Sequence, residues 1–191
     1  MPDYRRANVP GGTYFFTVNT YRRQTFLTDA DVRTALREAI GTVRQTHPFR
    51  IDAWVLLPDH LHALWTLPPD DHDFSHRWRV IKRLVTQTCA ARLHRPEWST
   101  ERRRQRHQST LWQHRFWEHL IRDEDDFNRH VDYLHWNPVK HGYVREVKDW
   151  PYSSFHRYVK RGLLPLDWGS TMPLSDGGTF GEPMGADTLT G

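Results

Sequence analysis

One cysteine, Cys89, stands in a chain of 191 residues, so an internal disulfide and a multi-cysteine zinc cluster are both excluded. No apolar run approaches the roughly 18 residues that a spanning helix needs, and no apolar core of a secretory signal precedes the first polar segment. These absences predict a soluble cytoplasmic protein with no membrane partner. Hydrophobic residues make up only 37% of the chain, but nine Trp, nine Phe and seven Tyr supply large units of burial, enough for one compact domain. No internal repeat is visible. Acidic residues are outnumbered, 23 against 27 Lys and Arg, for a net charge of +4 with 13 histidines uncounted. The pI is about 9.4. A basic balance of this kind suits a phosphate-rich partner such as nucleic acid, and it also suits an unspecialised solvated surface.

Periodicity divides the chain into alternating elements. "TYFFTVN", Thr13 to Asn19, is aromatic and β-branched behind Gly11 and Gly12, and reads as a buried strand. From Asp29, with Thr28 or Asp29 as cap, Val32, Leu36, Ala39, Ile40 and Val43 recur at helical spacing up to His47-Pro48. "FRIDAWVLL" and "HLHALWTL", separated by Pro58-Asp59, predict a strand hairpin. Phe74, Trp78, Ile81, Leu84, Val85 and Thr88 then mark the packed face of a second helix whose opposite face carries Arg79, Lys82 and Arg83. Residues 94 to 110 have no apolar period and hold Arg95, Arg102, Arg103, Arg104 and Arg106, which predicts a flexible basic loop. "LWQHRFWEHLI" reads as a strand or an extended arm, and "RDEDDFNRHVDYLHWNP" as a third helix capped by Asp123. Asp123 to Asp126 suit the positive end of that helix, and Lys140 and His141, before Gly142, its negative end. Residues 170 to 191, rich in Gly, Pro, Ser and Thr, read as a disordered tail.

Within the third strand, His60, His62 and Leu64 share one face and Leu61, Ala63 and Trp65 the other. The two imidazoles stand about 7 Å apart at their Cα atoms and can converge on one ion, although such a pair is equally the polar face of an ordinary strand. On the third helix, Asp126, His130, Tyr133 and Asn137 follow one stripe. Tyr133 and Asn137 would present a phenol and an amide side by side. A tyrosine beside a metal-bound phosphate can attack it, because the ion neutralises charge and orients the phosphorus. The same two residues also fit a packing role and a helix cap before Pro138.

Four blocks in order carry a resemblance. "GGTYFFTVN", "AWVLLPDHLHALWTLP", "FWEHLIRDEDDFNRHVDYLHWNPVKHGYV" and "DWPYSSFHRYV" resemble the REP-associated tyrosine transposases, a branch of the IS200-like single-tyrosine transposases within the HUH endonucleases. The resemblance runs from about Tyr4 to Trp168, leaving a single domain over 1–169 and the tail outside it. It implies an α+β fold, a ferredoxin-like antiparallel β-sheet with packed α-helices, and a site joining the histidine strand to the tyrosine helix. Carried over by position, the His-hydrophobe-His motif falls on His60 and His62, the nucleophile on Tyr133, and the third metal ligand on Asn137. The ion so implied is Mg2+ or Mn2+, although two imidazoles alone would favour zinc. The implied reaction is cleavage and rejoining of single-stranded DNA bearing REP-like hairpins, through a 5′-phosphotyrosine intermediate, by a monomer.

A reader of single strands needs cationic tracks and aromatic faces. Candidates are Tyr4, Arg5 and Arg6, the Arg79, Lys82 and Arg83 face, and Arg115, Phe116 and Trp117 before the tyrosine helix. Two rival readings remain at the level of sequence: a zinc-dependent hydrolase built on the histidine pair, and a hairpin-binding protein without catalysis.

Overall fold

A computed structural model describes residues 8–170. Its first strand, β1 (Thr13–Asn19), is buried along almost its whole length because the segment offers only aromatic, β-branched and small polar side chains. It is followed by α1 (Ala30–Thr46), β2 (Arg50–Leu56), β3 (His60–Thr66), α2 (Phe74–Leu93), α3 (Glu101–Gln105), β4 (Trp117–Leu120), α4 (Glu124–Lys140) and α5 (Phe155–Lys160). The four strands form one sheet in the order β2-β3-β1-β4, and each neighbouring pair is antiparallel. The succession β-α-β-β-α-β in that order is the ferredoxin-like arrangement. β2 and β3 close as the expected hairpin, with Leu57 N–H donating to the His60 carbonyl at 2.9 Å.

Alternation along the strands sends side chains into two layers. Tyr14, Phe16, Val18, Leu61, Ala63 and Trp65 meet α1 and α2 in the larger core. There Trp65 and Trp78 stack at 4.2 Å, and Phe49 closes on Trp65 from the other side at 4.2 Å. Arg77, at 0% exposure, crosses this layer. Its guanidinium is satisfied by Asp71 and by the carbonyls of His47, Pro48 and Asp73, as a buried cation requires. Three expectations need correction here. Asp29 occupies the cap position of α1 without capping it, because its carboxylate, like that of Asp31, is drawn to Arg92. Thr88 is exposed and its place on the packed face is taken by Cys89. The basic segment 94–110 is not a featureless loop: a 3-10 turn spans Pro96–Trp98, and Thr100 caps α3 by accepting from Arg103 N–H. The arginines that break its apolar period are used locally, Arg104 on Glu101 and Arg103 over the ring of Tyr21 at 3.9 Å.

The other face carries Phe15, Ala53, Val55 and Leu64 against Val131, Tyr133 and Leu134 of α4 and against Trp150. Asp123 caps α4 as predicted, accepting from Asp126 N–H at 2.8 Å. The helix does not stop at Asn137; it runs through Pro138 to Lys140 and ends where Gly142 takes φ +70°. The segment 152–154 then joins the free edge of β2, with Leu56 N–H donating to Tyr152 O. Ser154 Oγ accepts from Trp54 N–H and meets Nε2 of the fully buried His135 at 2.9 Å. Burial, with a smaller contribution from the Arg157 charge, pulls the His135 imidazole down to about 3 from its usual 6.5.

Because the folded His135 resists a proton that the unfolded chain accepts, the unfolded state binds more protons at acid pH and stability falls as pH drops from 6.5 towards about 3. Urea unfolding at a series of pH values is expected to show this acid limb. In His135→Gln the limb becomes shallower without vanishing, because burial also depresses His130.

Candidate active site

The pairing of β1 with β3 sets the first half of the site. Thr17 lies opposite His62 and Asn19 opposite His60, so both imidazoles emerge on the α4 face while Leu61 anchors the opposite core. Both rings are at 0% exposure, with centroids 5.0 Å apart and nearly perpendicular. Each has a partner on Nδ1. Thr17 Oγ1 sits 2.9 Å from His62 Nδ1, and Asp59 Oδ1 sits 2.7 Å from His60 Nδ1. A carboxylate only accepts, so His60 carries its proton on Nδ1 and the atom it could offer an ion is Nε2. Burial alone would raise the Asp59 carboxyl, but the His60 hydrogen bond and the charges of His60 and Arg23 hold it below the usual carboxylate range. Arg23 pairs with the same carboxylate at 2.7 Å.

The second half comes from α4. Tyr133 packs its ring against His62 at 5.4 Å and against Phe15 at 6.1 Å. Two turns later, His141 places its ring 5.2 Å from His60. Asn137, four residues from each of them on the same stripe, is fully buried. Lys140 Nζ donates to the Tyr133 hydroxyl at 3.1 Å, with the ammonium 4.7 Å from the ring centroid. The donor set, two imidazoles fixed through Nδ1 and one buried amide, fits a divalent cation with room for oxygen ligands. Lys140 and His141 gave no such signal in the sequence, where they read only as helix-end charges.

The stripe continues in a second cluster. Asp126 and His130, both buried, meet His119 from β4, and a ligand atom from each lies within 4.8 Å of the others, close enough to hold an ion. The existing bonds favour a carboxylate hub. Asp126 Oδ2 accepts from Arg122 N–H at 3.1 Å and meets His119 Nε2 at 2.8 Å, while His130 Nδ1 meets the Asp126 carbonyl at 2.7 Å. Burial alone would raise the Asp126 carboxyl, but the His119 and Arg122 hydrogen bonds and the charges of His119 and His130 hold it far below its usual range. Phe15 separates the hub from the histidine pair, touching His130 at 4.8 Å and His62 at 5.3 Å. The strand register that brings His119 beside Phe15 was not legible without the β4 boundary.

Of the residues predicted to meet DNA, Tyr4, Arg5 and Arg6 lie outside the described residues. Arg79, Lys82, Arg83 and Phe116 come together on a groove of about 530 Å3 beside α2. There Lys82 Nζ donates to Gln113 O at 3.0 Å and lies 5.6 Å from the Phe116 ring. Phe116 packs inward on Phe16 and Phe74. Arg115 is exposed but does not line this groove. Trp117 turns to the opposite face, edge-on to Phe15 and stacked on His119.

A histidine-bearing central strand facing a tyrosine helix on a ferredoxin-like sheet defines a class. The profile described as "Transposase IS200 like" matches residues 9–135. An Escherichia coli (strain K12) protein named REP-associated tyrosine transposase is 48% identical over 168 residues, 88% of this chain and 91% of that protein. A Haemophilus influenzae relative, assigned provisionally to the same group, is 43% identical over 175 residues, covering 91% of this chain and 97% of its own length. A solved structure described as the REP-associated tyrosine transposase bound to a REP hairpin superposes with a TM-score of 0.80 at 46% identity, covering 96% of this chain and 99% of that one. The chain belongs to the IS200-like transposase family, in its REP-associated tyrosine branch.

Asp126→Asn removes the charge that several donors share and is expected to destabilise the fold by about 2 kcal/mol. The measurement is urea unfolding at neutral pH; an unchanged midpoint would contradict a hub role.

Proposed function

We propose that the protein cleaves and rejoins single-stranded DNA beside REP-like hairpins, with Tyr133 as nucleophile. The observation that carries the reading is the packing of the Tyr133 ring on His62 with Lys140 on its hydroxyl. In the forward step the Tyr133 oxygen attacks the scissile phosphorus and the P–O3′ bond breaks. The departing 3′ oxygen gains a proton, and the 5′ phosphate stays on the tyrosine. A 3′-OH reverses the step, so the bond energy is conserved and no external energy source is required. Lys140 offsets negative charge gathering on the phenol oxygen as its proton leaves. The Asp59–His60 and Thr17–His62 bonds fix the rings, so Nε2 of each would hold a divalent ion together with Asn137. Mg2+ or Mn2+ fits a site that takes an amide and phosphate oxygens, and when bound it supplies charge neutralisation at the phosphate. The bound hairpin of the solved relative supports hairpin DNA as the partner. Arg79, Lys82, Arg83, Arg115 and Phe116 are the residues we assign to contact with DNA outside the cleavage site, and the protein acts as a monomer in the cytoplasm.

Tyr133→Phe is expected to abolish the covalent protein–DNA adduct on a hairpin oligonucleotide with Mn2+ while leaving hairpin affinity within about twofold. Persistent adduct, seen on a denaturing gel, assigns the nucleophile elsewhere. Thr17→Val removes the partner of His62 Nδ1 and should weaken Mn2+ binding by about 10- to 100-fold, as loss of an orienting bond does at other metal sites. Titration calorimetry reads this without any reaction; unaltered affinity removes Thr17 from the site.

A further inference from the structure

A second basic groove, of about 1130 Å3, lies at the β2 edge of the sheet between α1 and α5. Arg33, Arg37 and Arg44 of α1, Arg50 of β2, and Arg157 and Arg161 at α5 line it. The carboxylate of Asp52 is the acidic side chain among these lining residues, and it is already taken by Arg50 at 2.6 Å and by the Thr66 hydroxyl. Arg33 and Arg37 are four residues apart on α1, and across the groove Arg157, whose guanidinium donates to the carbonyls of Ile51 and Asp52, stands four residues before Arg161, which follows α5. Like charges at that spacing repel. Arg33 adds to the conflict by placing a cation in the first turn of α1, the positive end of its dipole. A fold that tolerates these conflicts on facing walls is arranged for an anion with repeated charges.

The same wall contains a glycine without a packing reason. Gly41 sits inside α1, where glycine is the poorest helix former short of proline, and a Cβ built there would meet nothing within 4 Å. Its effect is to lower the wall between Arg37 and Arg44, as close approach of a polymer backbone requires.

We propose that this groove seats the phosphate backbone of the paired stem of a DNA hairpin. The inference rests on the reading that the protein acts on hairpin DNA, and adds a surface for the stem distinct from the α2 groove. The stem is favoured over an unpaired strand because the groove's rings are used by the protein itself, Trp54 being half-buried against the larger core. Tyr152 lies beneath Arg33 at 4.5 Å, and the Tyr158 hydroxyl donates to Asp52 O at 3.1 Å. Unpaired bases need open aromatic faces, whereas a stem presents phosphates. Arg33 and Arg44 use Nε on the carbonyls of Thr28 and Phe49, which orients the guanidinium planes while the terminal nitrogens serve phosphate oxygens.

The test uses the full chain and fluorescence anisotropy, with two probes: a labelled DNA hairpin with a stem of about ten base pairs and single-stranded flanks, and an oligo-dT of matched length. The double variant Arg37→Gln, Arg161→Gln is expected to weaken hairpin binding about tenfold near 0.1 M salt, and to shrink the slope of log affinity against log salt by about 2. Oligo-dT binding stays within about twofold. Gly41→Leu is expected to raise the urea midpoint and lower hairpin affinity together, a combination that a folding defect cannot produce. Unchanged hairpin affinity and slope in the double variant overturn the groove assignment. Equal losses on both probes overturn the assignment to the paired stem. An unmodified chain that does not prefer the hairpin overturns the hairpin reading itself, and the groove with it.

Discussion

The pairing of β1 with β3 is the constraint on which the site depends. With Thr17 opposite His62 and Asn19 opposite His60, the imidazoles face α4 and Leu61, Ala63 and Trp65 face α1 and α2. Side chains alternate with a period of two, so a slip of one residue would bury the histidines among the tryptophans and turn Leu61 into the site. The larger core opposes such a slip. Trp65 is held between Phe49 and Trp78, and no polar ring could replace it there without losing that packing. Hydrophobic burial on one face thus fixes which way the histidine pair points on the other.

The second constraint is the placement of α4, which is held along its length. Asp123 and the Asp126 hub secure its first turns to β4, Val131 and Leu134 bury against the sheet, and the His141 ring meets His60 near its end. Tyr133 lies between these fixtures, so its hydroxyl has little freedom relative to the histidine strand. An in-line attack loses rate steeply with small displacements. This makes His119, Asp126 and His130 relevant to the proposed chemistry without touching it: they position the helix that carries Tyr133, the proposed nucleophile.

Much of this was legible in the sequence, for definite reasons. β1 matched its expected span because turn residues and polar residues bound a wholly β-forming run. Asp123 showed as a cap because its carboxylate precedes a cluster of acids at a helix start. His60, His62 and Tyr133 emerged because strand and helix periods each put them on one face, and the resemblance then joined the two faces. What the sequence hid was long-range. Arg77 gave no signal in the sequence, because what draws it inside is Asp71 and three carbonyls that only the fold brings together. The 94–110 segment lacks an apolar period because its short helix is held by local hydrogen bonds and ion pairs. The Asp29 cap failed to form because Arg92, more than sixty residues away, competes for the carboxylate.

The distribution of charge completes the picture. Near the histidine pair the fixed cations are few and engaged, Arg23 on Asp59 and Lys140 on Tyr133. Two groups of arginines lie elsewhere, beside α2 and along the β2 edge. A site crowded with fixed positive charge would bind any phosphate tightly before reaction and favour the ground state. In the proposed reaction, remote arginines would instead grip the parts of a DNA chain that do not react, and that binding energy would serve to hold one phosphodiester against Tyr133. On this account the weak net charge of the chain, +4, understates its capacity for DNA. What matters is that arginines of like sign are held on facing walls, where among the described lining residues Asp52 alone is acidic and is paired with Arg50.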